Sequence, residues 1–160
     1  METDAILSED RKYRYVLSRI WDKSKPTVMF IGLNPSTADE TQNDPTVNKC
    51  INFAKSWGYG GIYMLNLFAF RATQPEDMFK SENPIGKENN EYIKKYSKIC
   101  EKVICAWGND GNYKNRSKEV LEMLDNIYYI KLNKTGEPAH PLYLKSDLIP
   151  IKFEKNKNLS

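Results

Sequence analysis

Phe30-Ile31-Gly32-Leu33-Asn34-Pro35-Ser36-Thr37-Ala38-Asp39 joins an apolar run to a polar loop containing proline. The apolar half begins at Thr27, after Pro26, and ends at Leu33. It is too short for a helix and contains β-branched residues, so it reads as a buried strand. The loop therefore starts at a strand's carboxyl end, where open α/β sheets bind ligands. Asn34, Ser36, Thr37 and Asp39 crowd hydrogen-bonding side chains into this loop. Pro35 fixes its own φ and biases Asn34 away from helix, which holds the Asn34 side chain at a defined place on the rim.

Downstream, Val47, Cys50, Ile51, Ala54 and Trp57 recur at three- and four-residue steps, one apolar face of a helix with Asp44 as N-cap and Pro45 at its first position. Gly58, Gly60 and Gly61 end it, and Ile62 to Leu67 reads as a second strand running into Phe68 to Thr73. Gln74 to Lys80 has the look of a helical turn. Tyr92, Ile93, Tyr96, Ile99 and Cys100 mark a further helix, and Lys102 to Trp107 a third strand closed by Gly108-Asn109-Asp110-Gly111. Val120, Leu121 and Leu124 give a last helix, and Ile127 to Leu132 a last core strand. Upstream, Tyr13, Tyr15 and Leu17 alternate as a strand that the turn Asp22 to Pro26 would fold antiparallel onto Thr27 to Leu33, at or near a sheet edge. Residues 1 to 10 are polar and without period, which predicts a loose start.

Strands alternating with helices predict an α/β chain: a three-layer α/β/α sandwich around a mostly parallel sheet, with an N-terminal antiparallel edge strand. Its length of 160 residues suits a single domain, 1–160, with the core over about 11–153 and loose ends. An apolar content of 40% argues against disorder, and a net charge of +3 permits a nucleic-acid partner without demanding one. Cys50, Cys100 and Cys105 sit at apolar periodic positions, which predicts buried free thiols in a reducing compartment. With a single histidine beside them, neither a metal site nor a cofactor is expected. No apolar run is long enough for a membrane span, so no membrane partner is expected and the expected location is cytoplasmic.

Right-handed crossovers bring four segments to one rim: Asn34 to Asp39, Asn66 to Thr73, Trp107 to Gly111, and His140 to Tyr143. Gly32-Leu33-Asn34-Pro35 resembles the Gly-x-Asn-Pro that opens the active site of mismatch-specific uracil-DNA and thymine-DNA glycosylases. Asn66 to Thr73 resembles their second-strand segment, Ala106-Trp107-Gly108-Asn109 the Trp-Gly after the third strand, and His140-Pro141 the His-Pro of the last motif. The order holds over about residues 27 to 144. Ser36 departs from the small residue those enzymes carry there, and Leu142-Tyr143 from the serine that follows their His-Pro. As a whole, the chain resembles an uncharacterised bacterial and phage family of unknown function marked by Leu-Asn-Pro-Ser-x-Ala-Asp, Asn-Leu-Phe-Ala-x-Arg-Ala-Thr, Ala-Trp-Gly and His-Pro-Leu-Tyr-Leu.

The glycosylase resemblance implies a related fold and hydrolysis of an N-glycosidic bond in a nucleotide or in a base of DNA. Such a reaction develops positive charge on the sugar and negative charge on the base. For that chemistry the candidate catalytic groups are Asn34 to hold the water, His140 to donate to the base, and Asp39 or Asp44, carboxylates with no obvious counterpart in those enzymes, to activate the water or face the sugar. Ser36, Asp44, Asn66, Phe68, Arg71, Trp107, Asn109 and Tyr143 are the candidate substrate-binding groups, with Asn66 reading a base edge and Phe68 or Phe70 offering a stacking face. Each also has a structural reading: His140 as a loop pin, Asn66 as a partner of backbone groups, Asp44 as a helix cap, Arg71 as a partner of Asp39 or Asp44, and Phe68 and Trp107 as core. The alternative function is a non-catalytic module that binds a nucleotide or modified base on the same fold.

Overall fold

A computed structural model describes residues 1–154. Seven strands form one sheet in the order β1-β2-β4-β3-β5-β6-β7. They are β1 (Glu2–Leu7), β2 (Arg14–Ile20), β3 (Thr27–Gly32), β4 (Gly61–Asn66), β5 (Lys102–Cys105), β6 (Ile127–Tyr129) and β7 (Ile151–Lys152). The helices are α1 (Pro45–Ser56), α2 (Pro75–Phe79), α3 (Asn89–Ile99) and α4 (Arg116–Met123), with a 3₁₀ segment at Asn109–Asn115. The four middle strands, β4, β3, β5 and β6, run parallel, and the strands outside them are antiparallel.

Alternation along the strands sorts the core into two faces. Val28, Phe30, Ile62, Met64 and Ile104 pack with Val47, Cys50, Ile51, Phe53 and Ala54 of α1. Met29, Ile31, Leu65, Val103 and Cys105 pack with Ile93 of α3 and Val120 of α4. Helices thus cover both faces of the sheet. Asp44 caps α1 as its spacing predicts, accepting from the Val47 N–H at 2.9 Å, with Pro45 in the first turn.

The N-terminal margin differs from the sequence reading. β2 pairs not with β3 but with β4, through Leu17 opposite Met64 and Ile20 opposite Gly61, and its hairpin partner is β1. The edge strand is therefore Glu2–Leu7, in the stretch expected to be loose. Its burial runs from exposed to half-buried, and such a strand holds by its ladder to β2 more than by an apolar stripe, so its sequence carries little pattern. The expected loosening of the C-terminal tail falls largely on residues 155–160, outside the described residues.

β3 connects through α1 to β4 on one side, whereas β5 connects through α4 to β6 on the other. The connections leave in opposite directions, so the loops after β3 and β5 diverge and open a crevice at the carboxyl edge of the sheet. No helix among the described residues is long and apolar enough to cross a membrane.

Candidate functional site

That crevice is a cavity of about 630 Å³ lined from every segment of the rim: Asn34 and Ser36 after β3, Asp44 at the start of α1, Asn66 at the end of β4, Trp107 and Asn109 after β5, and His140. Its volume lies in the range of small-ligand sites. Three backbone contacts hold the walls together. The Leu67 and Phe68 N–H groups donate to the Gly32 and Leu33 carbonyls, which extends the β3–β4 ladder past the strands, and the Gly108 N–H donates to the Pro138 carbonyl at 2.8 Å. Gly108 has φ of 81°, a conformation that favours glycine, and this bend brings the loop carrying His140 against the strand end.

Asn34 binds the two loops to each other. Its Nδ2 donates to the Ala72 carbonyl at 2.9 Å and the Pro35 carbonyl at 3.1 Å, while the Ala72 N–H donates back to the Pro35 carbonyl at 3.0 Å. Two carbonyl partners fix which end of the amide is nitrogen, and Oδ1 is the acceptor left over. Asp44 is similarly divided, with Oδ1 on the cap.

His140 lines the cavity from an exposed position. The Leu142 N–H donates to its Nδ1 at 3.3 Å, which places the proton of the neutral ring on Nε2. Desolvation lowers the imidazole's pKa from the ordinary histidine value, against the opposing pull of the Asp44 carboxylate. At neutral pH His140 is therefore an uncharged N–H donor. Across the cavity, Asn66 is 4% exposed and sits opposite Gly32 in the parallel register. A Cβ on residue 32 would lie 2.9 Å from the Asn66 Nδ2, so the missing side chain makes room for this amide.

Four of the residues expected at the site lie elsewhere. Asp39 folds back on its own loop, its Oδ1 accepting from the Gln42 N–H at 2.8 Å and the Thr41 N–H at 3.0 Å; the Gln42 bond above all, and then the Thr41 bond, lower its carboxyl pKa. An Asx turn competes with any outward role for that carboxylate. Arg71 points to the outside, with Nη1 donating to the Arg11 carbonyl at 3.3 Å, rather than meeting Asp39 or Asp44. Phe68 is fully buried beside Tyr113, because the chain after Asn66 continues inward under α3 and the 3₁₀ segment. Tyr143 is 93% exposed, and Leu142 takes the wall position instead.

Two residues that do line the cavity are held mainly by structural bonds. The Trp107 indole N–H donates to Glu137 Oε1 at 2.8 Å, and its ring lies so close to Gly111 that a Cβ there would overlap it. Asn109 Oδ1 accepts from Asn133 Nδ2 and Thr135 Oγ1, fastening the 133–137 loop. The sequence reading missed Arg14. This residue of β2 is 2% exposed, lines the cavity, and donates from Nη1 to the Ala38 carbonyl and from Nη2 to Asn66 Oδ1. Burial pushes its pKa down to about 10, leaving it charged at neutral pH. Its sequence signal, an arginine between two tyrosines at a strand start, looks like an outward polar position.

The sequence model of a family described as "Protein of unknown function (DUF1643)" matches residues 14–142. The chain belongs to the DUF1643 family. The matched span of this DUF1643 chain runs from Arg14 to Leu142, two residues of the cavity wall, and so takes in the whole crevice. No curated protein matches the chain.

Proposed function

We propose that the crevice binds a nucleoside unit, free or within a nucleic acid, and hydrolyses its N-glycosidic bond. The observation that carries this reading is the set of groups in one cavity: the Asp44 carboxylate, with Asp110 and the Arg14 cation also in the wall, together with neutral N–H donors from Asn66 and His140. The reaction demands both a carboxylate and N–H donors, since cleavage leaves positive character at C1′ and negative charge on the base. In the proposed step, Asn34 Oδ1 and Asp44 orient a water, whose oxygen bonds to C1′ as the C1′–N bond breaks. Asp44 takes the water's proton, and the base departs with the bonding pair under hydrogen bonds from His140 Nε2 and Asn66 Nδ2. The role first assigned to either carboxylate falls to Asp44, because Asp39 is turned away. The ordering of Asn34, Asn66, Trp107 and His140 along the sheet edge supports a uracil-DNA glycosylase-like fold in the same proposal.

A second reading, a nucleotide-binding module without turnover, is favoured by one observation: Asn34 and Asp44 both commit atoms to backbone bonds that shape the loop. Incubating the protein with nucleosides, nucleotides and uracil-containing DNA, and chromatographing the products, separates the two. Released free base at a rate proportional to enzyme is the expected result. Saturable binding with no base released over many hours moves the assignment to the module.

A further inference from the structure

Arg14 has no part in the chemistry above, yet it is a buried cation in the cavity wall. Among the described residues no carboxylate lies within ion-pair distance of it, and its Nε is buried without a hydrogen-bond partner. Burying a guanidinium costs stability, and here the cost is offset only in part by the Asp44 and Asp39 carboxylates beyond ion-pair distance. Its contacts are the Ala38 carbonyl at 3.2 Å and Asn66 Oδ1 at 3.3 Å.

The second contact has a directional consequence. A guanidinium has five N–H donors and no acceptor, so only the oxygen of the Asn66 amide can face it. An unrestrained asparagine can turn its amide over and present either a donor or an acceptor to a ligand. With Oδ1 held by Arg14, Nδ2 is the end that lies over Gly32, where a Cβ would come within 2.9 Å. Nδ2 makes no hydrogen bond among the described residues and is not enclosed as the Arg14 Nε is. Its two hydrogens are thus offered to the cavity.

We propose that Arg14 is a positioning residue that locks Asn66 as a donor, so that the pocket selects ligands presenting a carbonyl oxygen there and rejects those presenting an amino group. The inference rests on reading the cavity as a nucleobase site; within that class it selects keto-bearing bases over their amino counterparts. A ligand with an amino group at this point would set N–H against N–H and leave a buried donor unpaired. Sites built to hydrogen-bond one group reject the mismatch strongly. The buried charge behind the amide also polarises its N–H bonds toward the ligand.

The test uses 2′-deoxyuridine and 2′-deoxycytidine, which differ at the C4 carbonyl and amino groups, with binding measured by calorimetry on the full chain. The wild type is expected to bind deoxyuridine at least ~10-fold more tightly. Arg14→Met should bring the ratio below about threefold, because the amide is then free to turn, whereas Arg14→Lys should keep most of it. Gly32→Ala is the second variant, should Arg14→Met fail to fold. Its Cβ displaces the flexible amide end and should weaken deoxyuridine ~10-fold with little change in melting temperature. Equal affinities in the wild type, a preference for deoxycytidine, no binding of either nucleoside, or an unchanged ratio in folded Arg14→Met each overturn the inference. Retained selectivity without base release leaves it standing and removes only the hydrolytic step.

Discussion

The observed cap role of Asp44 and its proposed role in hydrolysis can be separated by a pair of substitutions. Asparagine caps a helix about as well as aspartate, whereas alanine does not. Asp44→Asn should therefore melt close to wild type, and Asp44→Ala should lose about 1 kcal/mol of stability through the cap. Base release should fall by roughly a hundredfold or more in both, because both remove the carboxylate. Single-turnover rates beside melting curves give the comparison, and an Asp44→Asn protein with full activity would return Asp44 to the role of a cap alone. His140 supplies a pH dependence with a defined sign. Its pKa is lower in the folded chain than in the unfolded one, so the native state resists the proton, and stability declines as pH falls from about 6.5 through the lowered native value. Protonated Nδ1 can no longer accept from Leu142 N–H, so nucleoside affinity should be level through neutral pH and fall only as pH drops through the lowered native value, below the ordinary histidine range. His140→Ala should lack that acid limb in the same titration. At this scale the sequence was partly legible. Asn34, Asp44, Asn66 and His140 are polar residues beside predicted strand or helix ends, which motif and spacing can find. Asp39 and Tyr143 look equivalent in sequence, and only the path of the loop beyond the strand turns them away.

The elements show why the pocket depends on strands that contribute little to its chemistry. β2 carries Arg14 and also Arg19, which is fully buried and donates to the Asp39 and Gln42 carbonyls and to Asn43 Oδ1. These bonds hold the 39–43 stretch that leads into the Asp44 cap. Arg19→Met would leave several of those acceptors unpaired, and a charged hydrogen bond contributes about 1.5–3 kcal/mol. The expected result is a loss of about 3 kcal/mol in denaturant unfolding, with the fastest gain in amide exchange at Thr41 and Gln42. Uniform exchange throughout the chain would argue that the arginine supports the sheet generally and not this loop. The helices and the parallel strands were readable because apolar periodicity is a local property. Strand pairing is not local: nothing within Tyr13 to Leu33 reveals that β2 joins β4 and leaves β3 between two parallel neighbours. Glu2–Leu7 was hidden for a related reason, since an edge strand needs only one partner and little buried surface.

At the scale of the whole molecule, the crevice follows from topology. The chain leaves β3 toward one edge and β5 toward the other, and polar residues from both strand ends face the gap between them. Alternating strands and helices announced this architecture, while the buried cation of the pocket came from an antiparallel strand that the alternation does not place. The central claim is that this crevice receives a nucleoside with its base toward Asn66 and His140 and its sugar toward Asp44. A crystal structure with a nucleoside analogue that cannot be hydrolysed, bound at saturating concentration, tests it most directly. The account predicts a base carbonyl oxygen within hydrogen-bond distance of Asn66 Nδ2, with C1′ facing Asp44. A nucleoside bound outside the crevice, or one lying in it with its sugar toward Asn66, would contradict the claim.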